Sequence, residues 1–149
     1  MRALIATDGT EQSLDAAHAA ITLLHPGLEV EIVTVIPELE DPNDSAGGFE
    51  GPLITEEEAE EQHRQDEAQA DVTLRTTLAS LGTTATVTVA QGGHAGRVIC
   101  DLAAQRGVDV LVVGGSDKGW FRRLVDGSVM EYAVHHAPCP VLVVRHPEE

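Results

Sequence analysis

The chain has 149 residues, enough for one domain to bury a real core without disulfides or metals. Its 25 acids against nine bases give a formal charge of −16, which excludes any broad nucleic-acid or anionic-membrane surface, because both need a basic footprint. The two cysteines stand at no metal-ligand spacing, and no apolar run nears membrane-spanning length or follows a leader-like segment, so a soluble cytoplasmic protein is expected.

Residues 1–7 open the chain with Ala3-Leu4-Ile5-Ala6, a short apolar run that reads as a buried strand. Thr7-Asp8-Gly9-Thr10 is the turn after it, so Asp8 falls at a strand's carboxyl end, where open α/β sheets place ligands. Asp8 has two other readings, a cap of the next helix or an Asx-turn. That helix is expected from Glu11 to His25, with Leu14, Ala17, Ile21 and Leu24 facing inward and Pro26-Gly27 stopping it. His18 beside this stripe is expected to be half-buried and structural. Leu28 to Ile36 is the second strand, ended by Pro37.

Thirteen of the 25 acids lie between Glu38 and Asp71. The first part of that stretch, an acidic loop or insert over about 38–61, lacks periodicity and carries Gly47-Gly48 and Gly51-Pro52. Its carboxylates lack the regular spacing of a calcium loop. Thr55 with Glu58 forms a capping box that opens a long helix, polar at first and packed from about Ala70 through Leu74, Leu78 and Leu81 to Gly82. A third strand, Ala85 to Ala90, and a helix from Ala95 to Arg106 follow, the helix turning Val98, Ile99 and Leu102 to the sheet. Cys100 in this helix and Cys139 near the last strand read as small core residues.

From Val108 the chain reads as one βαβ unit. An apolar run enters Gly114-Gly115-Ser116-Asp117-Lys118-Gly119, then Gly127-Ser128 starts a helix, and Val141 to Val144 is a last strand. Both runs lack polar alternation, as strands of a parallel sheet buried on both faces do. Glycines where a strand hands over to a helix let backbone amides approach an anion, and the helix N-terminus adds unpaired N–H groups. Ser128 with Glu131 is equally a capping box, and Gly114 with Gly115 equally a tight strand exit.

The alternation of five strands and four helices predicts a parallel α/β sheet covered on both faces, as a single domain over 1–149. Catalysis has little support: no Ser-His-Asp arrangement stands at motif spacing, and no Walker lysine follows the glycines. His135, His136 and Cys139 are close in sequence, but adjacent helical histidines diverge by about 100° and make a poor metal set. A response-regulator receiver would need a carboxylate after the third strand and a lysine after the fifth, where this chain has Gln91-Gly92 and Arg145-His146.

The glycine spacing, the Ala6-Thr7-Asp8-Gly9-Thr10 opening and the Pro140-Val141-Leu142-Val143-Val144 close resemble the universal stress protein family over essentially the whole chain. Nucleotide-binding members carry Gly, two residues, Gly, nine residues, then Gly-Ser or Gly-Thr. Counted back from Gly127-Ser128, the first glycine is Gly114 and the second position is Asp117.

The resemblance implies a three-layer open sheet of strand order 3-2-1-4-5 and an adenine nucleotide, ATP or a relative with Mg2+, at the switch-point cleft. Carried over residue by residue, Gly114, Gly115, Gly127 and Ser128 would hold phosphates and Asp8 the ribose. Val35 would offer its backbone to adenine, with Ala6 and Thr7 lining that side. It also implies a homodimer through the C-terminal strand, and at most slow ATP hydrolysis. Asp117 opposes phosphate: a carboxylate within about 5 Å of a phosphate oxygen costs on the order of several kcal/mol at an effective dielectric near 20. Lys118, Arg122 and Arg123 would offset it by pairing with it or by meeting phosphates themselves. The alternative is therefore a member of the same fold that binds no nucleotide and acts as a dimeric interaction protein.

Overall fold

The computed structural model describes residues 1–39, 55–114 and 129–145. In chain order these form β1 (Arg2–Ala6), α1 (Glu11–Leu23), β2 (Glu29–Ile36), α2 (Glu56–Leu81), β3 (Thr86–Gln91), α3 (Ala95–Arg106), β4 (Val110–Gly114), α4 (Val129–His136) and β5 (Val141–Val144). The five strands make one parallel sheet, as their pattern predicts, in the order β3-β2-β1-β4-β5 that the family resemblance implies. β1 lies at the centre, with Ile5 opposite Ile32 of β2 and opposite Val112 of β4.

Strand alternation divides the core in two. Ala3, Ile5, Ile32, Val110 and Val112 face α1 and α2, which contribute Ala16, Ala17, Ala20 and Leu74. Leu4, Ala6, Val33, Val35, Leu111 and Val113 face α3 and α4, which contribute Ile99, Leu102, Val129 and Ala133. The central strands are apolar on both faces because helices cover both, which is why their sequences show no polar alternation. At the β3 edge the cover thins, and Val87 and Val89 stay exposed.

Helix ends follow local chemistry. Thr55 accepts from Glu58 N while Glu58 accepts from Thr55 N, the expected capping box. Gly82 and Gly107 close α2 and α3 in the left-handed conformation, at φ of 61° and 60°.

Four expectations need correction. The inner face of α1 is Ser13, Ala16, Ala17 and Ala20, while Leu14, Ile21 and Leu24 are only half-buried. Small side chains let this helix lie close on the sheet, and the larger ones sit at its flanks. The same rotation leaves His18 exposed, and α1 ends at Leu23, short of His25. α2 packs earlier than Ala70, since Ala59 and Asp66 are already buried, Asp66 accepting from the Gln62 amide at 3.0 Å. Of the acidic 38–61 stretch, residues 40–54 lie outside the described residues.

Candidate functional site

β1 and β4 are neighbours whose outgoing connections turn to opposite faces of the sheet, β1 into α1 and β4 towards α4. A crevice at such a switch point, outside the strand carboxyl ends, is where an open α/β sheet receives ligands. The end of β4 abuts the start of α1: a Cβ built on Gly114 would meet Gln12 O at 3.4 Å and Ser13 Cα at 3.7 Å. Those are ordinary contact distances, so packing on α1 does not enforce glycine at this position.

The turn after β1 is held by a compact set of hydrogen bonds. Asp8 Oδ1 accepts from Thr10 N at 3.0 Å and from Thr10 Oγ1 at 2.5 Å, an Asx-turn. Thr10, not Asp8, is the N-cap of α1, its hydroxyl accepting from Ser13 N at 3.3 Å. One carboxylate oxygen of Asp8 is thus consumed in fixing the turn, and the structure gives the other, Oδ2, no partner among the described residues. Asp8 is half-buried and Gly9 adopts φ +79°, a conformation that suits glycine.

Thr7 is fully buried, and its side chain is committed to the protein. Its hydroxyl lies 3.1 Å from Ser13 Oγ of α1 and 2.9 Å from Thr77 Oγ1 of α2, and it also accepts from Gly9 N. Ala6 and Val35 have their side chains in the α3/α4 core. At all three positions the side chain is taken up by the protein interior. Thr7 N donates to Val33 O at 2.9 Å, so strand alternation turns the peptide groups of Val35 to the same side, beside the exit of β1.

The structure therefore brings Ala6, Thr7, Asp8, Val35 and Gly114 to the carboxyl end of the sheet. Gly115, Asp117, Lys118, Arg122, Arg123, Gly127 and Ser128 lie outside the described residues. Residues that sequence reasoning did not single out are Thr10, Ser13 and Thr77. The Thr-x-x-Ser spacing of Thr10 and Ser13 at the start of a periodic segment was a capping signal, but nothing local pointed to Thr77. Among the described residues no three His, Cys, Asp or Glu are placed to hold a metal. His135 and His136 are exposed, and Cys139 is half-buried.

A second cavity, of about 620 Å3, opens at the opposite end of the sheet between Arg2, Glu29, Glu31, Thr86, Thr88 and Arg106. Its charges are already satisfied: Arg2 pairs with Glu29 at 2.9 Å, and Arg106 with Glu31 at 3.2 Å. Thr88 donates to Glu31 at 2.7 Å.

Order and parallelism define the class: an open doubly wound α/β domain whose strand order reverses between β1 and β4. The model of the universal stress protein family matches residues 1–145, and the chain belongs to that family. A universal stress protein of Methanocaldococcus jannaschii is 27% identical over 98% of this chain and 82% of its own length. Among solved structures, universal stress protein UspA from Lactobacillus plantarum superposes with a TM-score of 0.72 at 22% identity, covering 97% of each chain. A universal stress protein in complex with cAMP matches at TM-score 0.63 and 17% identity, over 99% of this chain and 98% of that one. One from Archaeoglobus fulgidus in complex with dAMP matches at 0.55 and 20%, over 96% of both. At these identities the structural likenesses establish the shared fold. No described helix is long and apolar enough to cross a membrane.

Proposed function

We propose that this chain is a single-domain, cytoplasmic stress-response module that binds an adenine nucleotide, ATP or a relative with or without Mg2+, in the β1/β4 crevice. Asp8 accepts from ribose hydroxyls through the oxygen the Asx-turn leaves over, and the main chain of Ala6, Thr7 and Val35 meets the base. Gly114, Gly115, Gly127 and Ser128 present amides and a hydroxyl to phosphate. The observation that carries this reading is the Asp8 turn: its carboxylate is locked in orientation by Thr10 while one of its oxygens has no partner among the described residues, and at the end of neighbouring β4 stands Gly114, a glycine its contacts with α1 do not demand. The cAMP and dAMP complexes of structural neighbours support the adenine class.

The module acts through contacts that respond to occupancy, as a homodimer paired through β5. That strand is at the sheet edge and aliphatic at all four positions, each half-buried in the single chain, and such an edge is normally paired or covered. Light scattering should report twice the chain mass.

Calorimetry with ATP and with AMP, with and without Mg2+, tests the ligand. Micromolar affinity that falls at least tenfold in Asp8→Ala supports the reading, and no binding up to millimolar nucleotide overturns it. Asp117, standing where the family's second glycine falls, favours a second reading, a dimeric interaction protein without nucleotide affinity. Its signature is a silent wild type and an Asp117→Gly variant that binds.

A further inference from the structure

We propose that Thr77, seventy residues downstream of Thr7 on α2, is a positioning residue for the Asp8 turn and sets how strongly that turn reads a ribose. This rests on the nucleotide reading for its ligand, but its structural half stands alone.

Thr77 Oγ1 donates to Thr73 O within α2 at 2.8 Å, which commits its only proton. The 2.9 Å contact between Thr77 Oγ1 and Thr7 Oγ1 then requires Thr7 as donor. With its proton spent, Thr7 Oγ1 accepts from Gly9 N at 3.3 Å. Ser13 Oγ, 3.1 Å from it, gives its own proton to Thr10 O at 2.9 Å. Ser13 Oγ in turn accepts from Asp8 N at 3.4 Å. The Gly9 amide therefore drains through two buried hydroxyls, Thr7 and Thr77, into the Thr73 carbonyl on α2, while the Asp8 amide ends through Ser13 on Thr10 O. Chains in one direction polarise their members and favour one geometry.

A second contact works the same way. A Cβ on Gly9 would lie 3.0 Å from Thr73 Oγ1, so the floor under the turn is again α2. Ser13, Thr73 and Thr77 are all buried, and water does not replace a lost link there. α2 also carries the acidic first turn Glu56-Glu57-Glu58 at its far end, so one rigid element joins that region to the ribose position.

The test compares Thr77→Val, which keeps shape but removes the hydroxyl, with Thr77→Ser, which keeps the hydroxyl. Without ligand, amide exchange at Gly9 should quicken roughly three- to tenfold in Thr77→Val and stay near wild type in Thr77→Ser, with the Asp8 amide, held through Ser13, as the unchanged control. Equal protection in all three overturns the proposal. Should Thr77→Val not fold, Thr77→Ala opens the same link and must quicken the Gly9 amide.

The ligand arm measures affinity for ATP against 2′,3′-dideoxy-ATP. Thr77→Val should lower the preference for ATP by a similar factor and leave dideoxy binding alone; equal loss of both marks a general structural role and sinks the positioning claim. A wild type with no affinity for either removes the nucleotide reading, and the exchange result still decides what Thr77 does.

Discussion

Replacing Thr10 by alanine removes two bonds that the same hydroxyl makes in opposite roles. As acceptor it caps α1 through Ser13 N, a type of contact whose loss costs about 1 kcal/mol. As donor it reaches Asp8 Oδ1 at 2.5 Å, and hydrogen bonds to a charged group contribute about 1.5–3 kcal/mol when well buried. Asp8 is only half-buried, so water recovers part of this and about 1 kcal/mol is the fair share. The Thr10 N bond to Asp8 survives, since it is main chain. The sum is about 1.5–2.5 kcal/mol, a fall of about 4–8 °C in Tm for a domain of this size. Urea unfolding of wild type, Thr10→Ala and Thr10→Ser measures it, with serine within about 0.5 kcal/mol of wild type because it keeps both roles. If alanine also falls within about 0.5 kcal/mol, the turn is held by something other than this hydroxyl and the reasoning fails.

Three further outcomes are expected. Gly96→Ala gains helix propensity of about 1 kcal/mol but drives a methyl to 2.8 Å from Tyr132 Cβ, an overpacking that costs about 1–3 kcal/mol; chemical unfolding should show net destabilisation. Gly82→Ala, at φ +61° in open space, should lose about 1 kcal/mol and Gly82→Asn less, because asparagine tolerates that conformation; a thermal melt of the pair separates strain from packing. Burial, with the Asp101 carboxylate and Cys139 beside it, pushes the Cys100 thiol up to about 11, and burial raises Cys139 as well. Cys100 should therefore resist thiol reagents at pH 8 and label after Cys139. Because its folded value is raised, its contribution is whole below the unfolded value near 9 and is lost as pH climbs through about 11, so alkaline titration should weaken the fold over that window.

The architecture was legible because it is written locally. Uninterrupted β-branched runs, a Thr-x-x-Glu box and glycines after helices each state a strand, a start or a stop without reference to the rest of the chain. The switch point followed from the family resemblance plus the strand rule, and the sheet order agrees. What misled was size: in α1 the large residues Leu14 and Ile21 suggest the inner face, yet the sheet takes the alanines and Ser13, because closeness outweighs bulk there. His18 went wrong with the same rotation. At Asp8 the sequence offered a ligand group, a cap and an Asx-turn; the structure shows the Asx-turn, moves the cap to Thr10 and leaves an oxygen over. Thr77 was beyond reach, since its partner is seventy residues away and nothing periodic links a helix hydroxyl to a strand end.

The place of β1 has a consequence for how the chain comes into being. Of these five strands the first to be made is the one that ends up in the middle, and its backbone meets Asp109 through the Arg2 amide, 107 residues on. Until β4 emerges, one edge of β1 has nothing to pair with, and Leu4 and Ala6 wait for a cover that α3 and α4 supply last of all. The nascent chain must therefore carry an open aliphatic edge through most of the synthesis of this domain, the period in which neighbouring chains are the greatest hazard to it.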